Sequence, residues 1–540
     1  MIKTRRGSRP HRPAILMAAC LLFSLPILLP AAHAEDSDSV LRVVPQAGLR
    51  ALDPHATTAY VTRNHGYMVY DTLFALDAAL RPQPQMVEHV SVSDDGLTYD
   101  FTLRPGLAWH DGSPVTAEDC VASLRRWATR DAMGQRLMAL TATLAALDEM
   151  RFQLTLTEPY GLVLESLGKL SATAPFIMPK RLAATPADTP VTEAIGSGPF
   201  VFDPAEWRAG DRAVYRRNTA YRPRTEPPSG AAGGKIVHVD RVEWLRMPDA
   251  ATAAQALIAG EVDYLETPSP DLVPMLRASP GIAVDVLDPM GAIGILRPNH
   301  AAPPFDNQKA RQALLWLVDQ REYMQAAVGN PEFFGSCLSF YPCGSHLASD
   351  AGSAALAAKD IEHARALFTE AGVLGQTVAI LQVTDVPSMS ALALVAAQGL
   401  REAGMKVDLQ AMDFAGAAAR RASRAPVEQG GWSLLTTWMQ APDAANPIAS
   451  IPMAAGCETA WFGWPCDAAL ETLRSDYARE TDPAKRRDIA IAIQERNFAS
   501  TVTHIPVGTW FNPVAYRDSL KGLIKAPVLI LWNVEKSAKG

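Results

Sequence analysis

The stretch LTYDFTLRPGLAWHDGSPVTAEDCVASLRRW, residues 97–127, contains signals for a strand, a turn and a helix in close succession. Apolar and polar residues alternate strictly over 97–103, which predicts a half-buried antiparallel strand. The run Asp111-Gly112-Ser113-Pro114 predicts a turn, because each of its residues favours turn conformations. Thr116 precedes Asp119 by three residues, as in a capping box, so we expect a helix with Thr116 as its N-cap.

The pair His110-Asp111 in the same stretch raises the question of catalysis, because an imidazole beside a carboxylate is common in active sites. A catalytic pair must point at one target, and adjacent residues in a turn rarely do so. We therefore interpret Asp111-Gly112 as turn chemistry, Trp109 as an anchor beneath the turn, and His110 as a surface residue or a local hydrogen-bond partner. This interpretation assigns the stretch a structural role.

Length and composition exclude several classes of protein. The chain has 540 residues, which predicts two or three domains, and 48% hydrophobic and 20% charged residues are typical of globular proteins. A net charge of −7 without a basic stripe argues against a nucleic-acid partner. The sequence also has no Gly-x-Ser-x-Gly, His-Glu-x-x-His or Walker motif, and its histidines are scattered. We therefore expect no hydrolase, no cofactor and no metal site, and interpret Ser166-x-x-Lys169 as chance spacing.

Residues 1–34 have the pattern of a secretory signal peptide. A basic start precedes the apolar run 14–29, and Ala32-His33-Ala34 supplies a small-x-small cleavage site before Glu35. The alternatives are a membrane anchor, or a lipoprotein acylated at Cys20. Beyond residue 34 we find no run of about 18 uninterrupted apolar residues, so the sequence predicts export to the periplasm and release after cleavage.

Cysteine usage fits an oxidising compartment, because close pairs lie in loops rich in glycine and proline. We predict two local disulfides, Cys337 with Cys343 and Cys457 with Cys466. A metal site of Cys337, Cys343 and His346 is the alternative, but its spacing matches no common zinc pattern. Cys120 is left over and is expected to be a buried thiol in a helix.

Strands and helices alternate along the middle of the chain, which predicts open α/β sheets. A strand at 236–245, a helix at 252–259 and a strand at 262–265 form the first such series. A second section starts near Gly291 and contains a strand–helix–strand unit over 377–412, so it should have its own sheet. The tail, residues 501–534, is strand-like and rich in proline, as the first part of the chain is. This similarity suggests that the chain returns to the domain that its first part forms.

Several stretches, in this order, resemble the solute-binding proteins of peptide-type ABC importers, the group of dipeptide, oligopeptide and nickel binders. The resemblance covers essentially the whole chain after residue 34. The stretches that carry it are Leu52-Asp53-Pro54-His55, the opening stretch 97–127, Gly196-Ser197-Gly198-Pro199-Phe200, Pro303-Pro304-Phe305-Asp306-Asn307, Ile505-Pro506-Val507-Gly508 and Leu531-Trp532-Asn533-Val534.

The resemblance implies a two-lobed α/β periplasmic-binding-protein fold of type II, similar to cluster C, with an inserted subdomain and a hinge cleft. Such proteins close on a small-molecule or short-peptide ligand by hinge bending, then dock on ABC permease subunits, and we expect a monomer. The predicted division is lobe I from 35–72, 196–290 and 500–540, an inserted subdomain at 73–195, and lobe II at 291–499.

The ligand site is expected between the lobes, and the stretch 437–447 is the most informative part of it. In peptide-binding relatives a Trp here precedes an Asp that holds the ligand's α-amine. Gln440 or Ala441 occupies that place in this chain, and Asp443 fits a later Asp of the pattern. A peptide therefore remains the family default, whereas an opine, a sugar conjugate or a metal chelate is the alternative.

The candidate ligand contacts come from both lobes. Trp438 offers a ring for stacking or for covering a cation, Gln440 can pair with a hydroxyl or amide, and Arg297 is a possible carboxylate partner. The full set is Trp438, Met439, Gln440 and Asp443, with Tyr60 from the opposite lobe and Arg297. The alternative is that Trp438 is core and Asp443 caps a turn. Two roles remain open for the aromatic stretch Trp461-Phe462-Gly463-Trp464-Pro465: it forms a wall of the cleft, or it packs against the neighbouring disulfide.

Overall fold

The computed structural model describes residues 39–170 and 173–537. The predicted signal peptide, residues 1–34, lies outside the described residues. The described residues form one compact unit by their internal contacts. Among the described residues, no helix is both long enough and apolar enough to cross a membrane.

A seven-stranded sheet in the described chain collects strands from its beginning, middle and end. The strand Val40–Val44 pairs in parallel with Arg241–Leu245 on one side and with Tyr264–Leu265 on the other. The helix Ala250–Ala259 connects those two partners, and Asp249 caps its first turn. The spatial order is Phe200–Phe202, Arg212–Arg217, Arg241–Leu245, Val40–Val44, Tyr264–Leu265, Val514–Arg517 and Ile282–Asp285.

A six-stranded sheet in the described chain contains the predicted strand–helix–strand unit. Thr377–Val383 and Lys406–Met412 pair in parallel, and the helix Pro387–Glu402 connects them, which confirms that prediction. The spatial order is Phe334–Gly335, Ile505–Trp510, Ala292–Pro298, Leu434–Gln440, Thr377–Val383 and Lys406–Met412.

The strand Ile505–Trp510 corrects the expected return of the chain at residue 500. It pairs with Ala292–Pro298 in the six-stranded sheet and not with strands of the seven-stranded sheet. All six of its residues are buried, and on its other edge it pairs with Phe334–Gly335. The next strand, Val514–Arg517, does belong to the seven-stranded sheet, and the chain therefore crosses between the sheets at 511–513.

The stretch quoted first forms the centre of a separate four-stranded antiparallel sheet. Thr98–Leu103 alternates between half-buried and buried residues, as its pattern predicts. Thr116 and Asp119 form the capping box: the Thr116 backbone N–H donates to the Asp119 carboxylate over 2.8 Å. The strand order is Val87–Val92, Thr98–Leu103, Arg151–Leu156 and Thr141–Ala146, and the helix Ala117–Ala128 follows the capping box.

His110 fastens this stretch to the segment 196–198. Its Nδ1 accepts from the Gly196 N–H over 3.3 Å, and its Nε2 donates to the Gly198 carbonyl over 3.2 Å. Burial lowers the pKa of His110 to about 4, which keeps the ring neutral for both bonds. Asp111 accepts from Ser113 within the turn, and Trp109 is buried. The stretch contributes no residue to the cavity of about 760 Å³ that is described below, which fits its structural interpretation.

The remaining elements surround these sheets. The helices are Tyr60–Val69, Ala132–Ala139, Val163–Gly168, Lys180–Ala183, Val273–Ala278, Gln308–Leu315, Gln320–Ala327, Ala354–Ala357, Ile361–Glu370, Phe414–Arg420, Ala468–Arg479, Pro483–Arg496 and the π-helical Asn497–Thr501. Short 3-10 helices are Pro270–Leu272, Pro331–Phe333, Val427–Gln429, Ala441–Ala444, Ile451–Met453 and Cys457–Thr459. Small strand pairs are Asp71–Thr72 with Phe176–Ile177, Phe74–Leu76 with Pro82–Pro84, and Leu520–Lys521 with Glu535–Lys536.

The ion pair of Lys235 and Asp71 should stabilise the fold strongly, because both side chains are about 1% exposed and lie 2.7 Å apart. Lys235→Met leaves the Asp71 carboxylate buried without its counter-ion, so we expect the free energy of unfolding to fall by about 3–5 kcal/mol. Chemical denaturation measures this change. As a control, Lys180→Met breaks the exposed pair with Glu118 and should cost less than about 1 kcal/mol. Equal losses in the two variants would contradict the prediction.

Candidate ligand-binding site

A cavity in the described chain has a volume of about 760 Å³. Its wall combines three parts of the chain: residues 58–60, residues 76–173 of the predicted inserted subdomain, and residues 295–477 of the predicted second lobe. Small-molecule sites typically have volumes of about 300–1,000 Å³ and lie between domains. Size and position therefore make this cavity the candidate ligand site.

The strand Leu434–Gln440 brings Trp438 and Met439 to the cavity wall. Trp438 is half-buried, and its ring meets that of Trp510 edge-on at 5.9 Å between centroids. The Trp438 side chain therefore packs against Trp510 and also lines the cavity. The 3-10 helix Ala441–Ala444 follows at once and sets Asp443 on the same wall.

Asp443 is a carboxylate whose charge is poorly compensated. Its Oδ2 accepts from the Tyr60 hydroxyl over 3.1 Å, and Tyr60 also lines the cavity. Burial raises the pKa of Asp443, and the positive charges of Lys169 and Arg63 only partly oppose this effect. Among the described residues, that hydroxyl is its sole side-chain hydrogen-bond partner. The site therefore offers an anion that a cationic group can neutralise.

Gln440 and Arg297 are not on the wall of this cavity. Gln440 lines a separate cavity of about 90 Å³, to which Tyr60 also contributes. The fully buried Arg297 guanidinium donates to four backbone carbonyls, and burial lowers its pKa to about 9. The four acceptors are Pro452, Trp461, Phe462 and Thr503.

Arg297 therefore requires a correction of the expected site. Ile295 lies two residues earlier on the same face of its strand and does line the cavity. At the position of Arg297, the loop that contains Pro452 and Phe462 covers this face of the strand. Arg297 holds that loop in place and does not face a ligand carboxylate.

Charged residues of the inserted segment also line the cavity, and their sequence pattern did not indicate this. Asp131 caps the helix Ala132–Ala139 with Oδ1, and its Oδ2 accepts from the Lys169 ammonium and, over 2.5 Å, from the Thr173 hydroxyl. Asp131, Lys169 and Thr173 all line the cavity. The cap was the one available signal, because Asp before a helical run is a common N-cap. Nothing in that pattern indicates a cavity.

Arg421, which also lines the cavity, is a second residue that the sequence did not indicate. Its guanidinium lies 4.7 Å from the ring centroid of Phe462 and 5.6 Å from that of Trp461. Within the described residues its Nε has no hydrogen-bond partner, and burial lowers its pKa. Arg421 thus presents a cation on an aromatic platform at the cavity wall.

The loop that carries this platform is closed by a disulfide. Both predicted bonds, Cys337–Cys343 and Cys457–Cys466, are present, which confirms them and excludes the alternative metal site. Trp461 lines the cavity, whereas Trp464 is buried against Trp432. Trp461 therefore fits the interpretation of this loop as a cleft wall, and Trp464 fits the interpretation as local packing. Cys120 is buried and unpaired among the described residues, and burial raises the pKa of its thiol.

Removing the Cys457–Cys466 disulfide should weaken ligand binding, because the loop then no longer fixes Trp461. We expect Cys457→Ser with Cys466→Ser to cost about 2–3 kcal/mol of stability and to lower ligand affinity by about tenfold. Calorimetric titration at a temperature where the variant is folded measures the affinity. The matched control, Cys337→Ser with Cys343→Ser, should lose similar stability with affinity within about twofold of the original. Equal affinity losses would argue against a role for the loop.

Comparisons with known proteins identify the family. Residues 81–459 match the family "Bacterial extracellular solute-binding proteins, family 5 Middle". A probable peptide ABC transporter periplasmic-binding protein of Sinorhizobium fredii is 40% identical over 524 residues, covering 96% of this chain and 98% of that protein. A glutathione-binding protein of Pectobacterium atrosepticum is 24% identical, covering 83% of this chain and 84% of that protein.

Solved structures share the fold at lower identity. A protein of Agrobacterium tumefaciens R10 in complex with agropinic acid superposes with a TM-score of 0.74 at 21% identity, covering 93% of this chain and 99% of that one. A Helicobacter pylori protein in complex with the peptide STSA has a TM-score of 0.71 at 19% identity, covering 92% and 97%. The fold is thus the two-lobed periplasmic-binding-protein fold. The matched region spans more than half of the sequence, and the chain belongs to family 5 of the bacterial extracellular solute-binding proteins.

Proposed function

We propose that this chain is the periplasmic solute-binding component of an ABC importer. It captures a short peptide or a peptide-like solute in the cavity of about 760 Å³ and delivers it to permease subunits in the membrane. The Sinorhizobium fredii relative, named a probable peptide transporter component, supports this class of ligand. The family is one of binding proteins, and we infer that the chain captures its ligand without converting it.

The observation that carries the peptide proposal is the Asp443 carboxylate on the cavity wall. A buried carboxylate with one hydroxyl partner gains most from a ligand ammonium group, because a charge-assisted hydrogen bond relieves its lost hydration. The position at 440–441 lacks the acidic amine holder of the resembling peptide binders. Asp443 supplies a carboxylate a few residues later, so a free α-amine remains compatible with this site.

A cation on the cavity wall suits the other end of a zwitterion. Arg421 lines the cavity, and its guanidinium can donate to a ligand carboxylate there. The apolar side chains Val386, Met389 and Phe414 line the same cavity and can contact apolar side chains of the ligand. A short peptide combines all three features: an amine, a carboxylate and apolar side chains.

We further propose the hinge that lets the cavity open. The chain crosses between the two large sheets at 286–291 and again at 511–513. At the first crossing, Asp288 Oδ1 accepts from the N–H groups of Met290 and Gly291, each over 3.0 Å. Gly291 has a φ of +66°, a conformation that glycine adopts without strain. Lobe I would then comprise 39–72, 196–290 and 511–537, with the inserted subdomain at 73–195 and lobe II at 291–510.

A pair of matched ligands tests the proposed function. A thermal-shift screen of the periplasmic form should find short peptides that raise the melting temperature, since a ligand at 100 times its Kd adds about 2.7 kcal/mol to the free energy of unfolding. Each active peptide is then compared with its N-acetylated form, which lacks the ammonium group. The free peptide should bind at least about tenfold more tightly.

Two outcomes would contradict this proposal. If agropinic or mannopinic acid stabilises the protein and peptides do not, the ligand is an opine. If neither class does, while a peptide or ester panel is hydrolysed, the protein is an enzyme. Mass spectrometry of solutes that co-purify with the protein gives an independent identification.

A further inference from the structure

Three charged side chains on the cavity wall act on one another, and we call Asp131, Lys169 and Asp443 the charge cluster. The Lys169 ammonium donates to Asp131, and the two side chains are only 14% and 3% exposed. Burial raises the pKa of Asp443; the charge of Lys169 opposes this effect and the charge of Asp131 adds to it. The cluster contains two carboxylates and one ammonium, so a single negative charge is left over.

The two carboxylates of the charge cluster differ in what they can still bind. Asp131 Oδ1 accepts from the N–H groups of Met133 and Gly134, and its Oδ2 accepts from the Lys169 ammonium and the Thr173 hydroxyl. A carboxylate has about four acceptor positions, so those of Asp131 are all in use. Asp443 has one side-chain partner among the described residues, the Tyr60 hydroxyl. The position left for a ligand cation is therefore at Asp443.

Other charged side chains near the charge cluster are compensated or screened. Glu165 also lines the cavity, but it is paired with Arg486 over 2.8 Å. Arg63 lies outside the cavity wall, where its positive charge opposes the effect of burial on the pKa of Glu266. Arg130 lines the cavity but is exposed, so solvent screens its charge. The charge available to a ligand cation is thus the one negative charge of the cluster.

We propose that Lys169 limits the bound solute to one positive charge beside Asp443, and so selects peptides whose first residue has an uncharged side chain. Lys169 neutralises Asp131, so the charge cluster compensates one ammonium group, that of the peptide's N-terminus. The side chain of the first residue is attached next to this amine. A second cation there would give the cavity a net positive charge that no carboxylate balances.

This inference rests on the proposed function, because Asp443 must receive the ligand amine. It adds the class of peptide and the residue that selects it. Lys169 acts against unsuitable solutes: it removes the partner that a second cation would need.

Two tripeptides of equal shape test the limit. Norleucyl-Ala-Ala and ornithyl-Ala-Ala have first side chains of equal length, but only ornithine carries a second ammonium group. Calorimetric titration measures the Kd of each peptide for the original protein and for each variant. The original protein should bind the norleucine peptide at least about tenfold more tightly, because like charges repel in a water-poor site.

Lys169→Met should lower this preference by about tenfold or more, because the charge cluster then has two negative charges and accepts two cations. Lys169→Arg keeps the charge and should keep the preference. Lys169→Met combined with Asp131→Asn returns the cluster to one negative charge and should restore the preference. Asparagine caps helices as well as aspartate does, so the helix Ala132–Ala139 keeps its N-cap. Arg130→Met is the matched control, and the preference should stay within about twofold.

Asp131→Asn alone tests the same charge count if Lys169→Met does not fold. Asp443 and Lys169 then sum to zero, so the norleucine peptide should bind about tenfold more weakly than it binds the original protein. Its N-acetylated form lacks the ammonium group and should bind both proteins equally. A purely structural role of Asp131 would weaken both forms alike.

Three results would overturn the role of Lys169. The original protein binds both tripeptides equally, the preference survives in Lys169→Met, or Arg130→Met changes it as much as Lys169→Met does. In each case, tighter binding of the free norleucine peptide than of its N-acetylated form would leave the proposed function intact. If the original protein binds neither tripeptide, the proposed peptide ligand is wrong and the limit set by Lys169 is wrong with it.

Discussion

Asp443→Asn weakens the binding of a short peptide with a free α-amine by about 100-fold. The substitution keeps the shape of the side chain and removes the charge that faces the ligand ammonium. Losing one partner of a buried charge pair costs about 2–5 kcal/mol, and about 2.7 kcal/mol corresponds to 100-fold in Kd. Calorimetric titration of the original protein and the variant with the same peptide measures the change.

Two controls separate this role of Asp443 from general damage. Tyr60→Phe removes the hydroxyl that donates to Asp443 but keeps the carboxylate, so the affinity should change by less than about tenfold. The N-acetylated peptide should bind the original protein and Asp443→Asn equally. Equal losses for both peptides would show that Asp443 supports the cavity and does not contact the amine.

The same carboxylate predicts a pH dependence. Burial raises the pKa of Asp443, and the amine binds only the ionised form. Affinity should therefore fall as the pH drops through this raised pKa, at a higher pH than for an ordinary carboxyl group. The effect on folding has the opposite sign. A carboxyl whose folded pKa exceeds its unfolded value stabilises the fold below the unfolded pKa, and that contribution is lost as the pH rises through the folded one.

The predictable part of the site lies on one strand and its flanking turn. Trp438, Met439 and Asp443 follow from a motif that is contiguous in sequence, and all three line the cavity. Asp131 and Lys169 are far from that motif and become neighbours of it only through the packing of the inserted segment. Their local sequence indicates a helix cap and a helix end, so it carries no information about the other wall.

The fold shows the same limit in the strand Ile505–Trp510. Local patterns correctly predicted the strand–helix–strand unit and the capping box, because periodicity and hydrogen-bonding side chains act over a few residues. Sheet membership depends on the pairing partner, which for this strand is Ala292–Pro298, about 210 residues earlier. A strand that is buried throughout can be placed in either sheet by composition alone.

Arg297 is the clearest case in which residue type suggested the wrong chemistry. An arginine near a predicted cleft commonly binds carboxylates, because its guanidinium forms paired hydrogen bonds with them. In this protein the donors are already used by the carbonyls of Pro452, Trp461, Phe462 and Thr503. The side chain is 0% exposed, so no ligand oxygen can reach it. Its function is to fix the loop that carries Trp461.

Arg297→Met should therefore lower the free energy of unfolding by about 4 kcal/mol or more. Methionine fills part of the volume but removes the donor from three carbonyl groups, those of Pro452, Phe462 and Thr503, whereas the Trp461 carbonyl still accepts from the Trp464 N–H. Each unsatisfied group costs about 1–3 kcal/mol before relaxation. Chemical denaturation at low temperature measures the loss, and Arg297→Lys, with fewer donors, should give an intermediate value. A ligand contact would behave differently: stability would be retained while affinity for the free peptide collapsed. We expect a large loss of stability, while the folded fraction binds the peptide through Asp443 as before. That result assigns Arg297 a structural role, because the free energy of folding and the free energy of binding then depend on different residues.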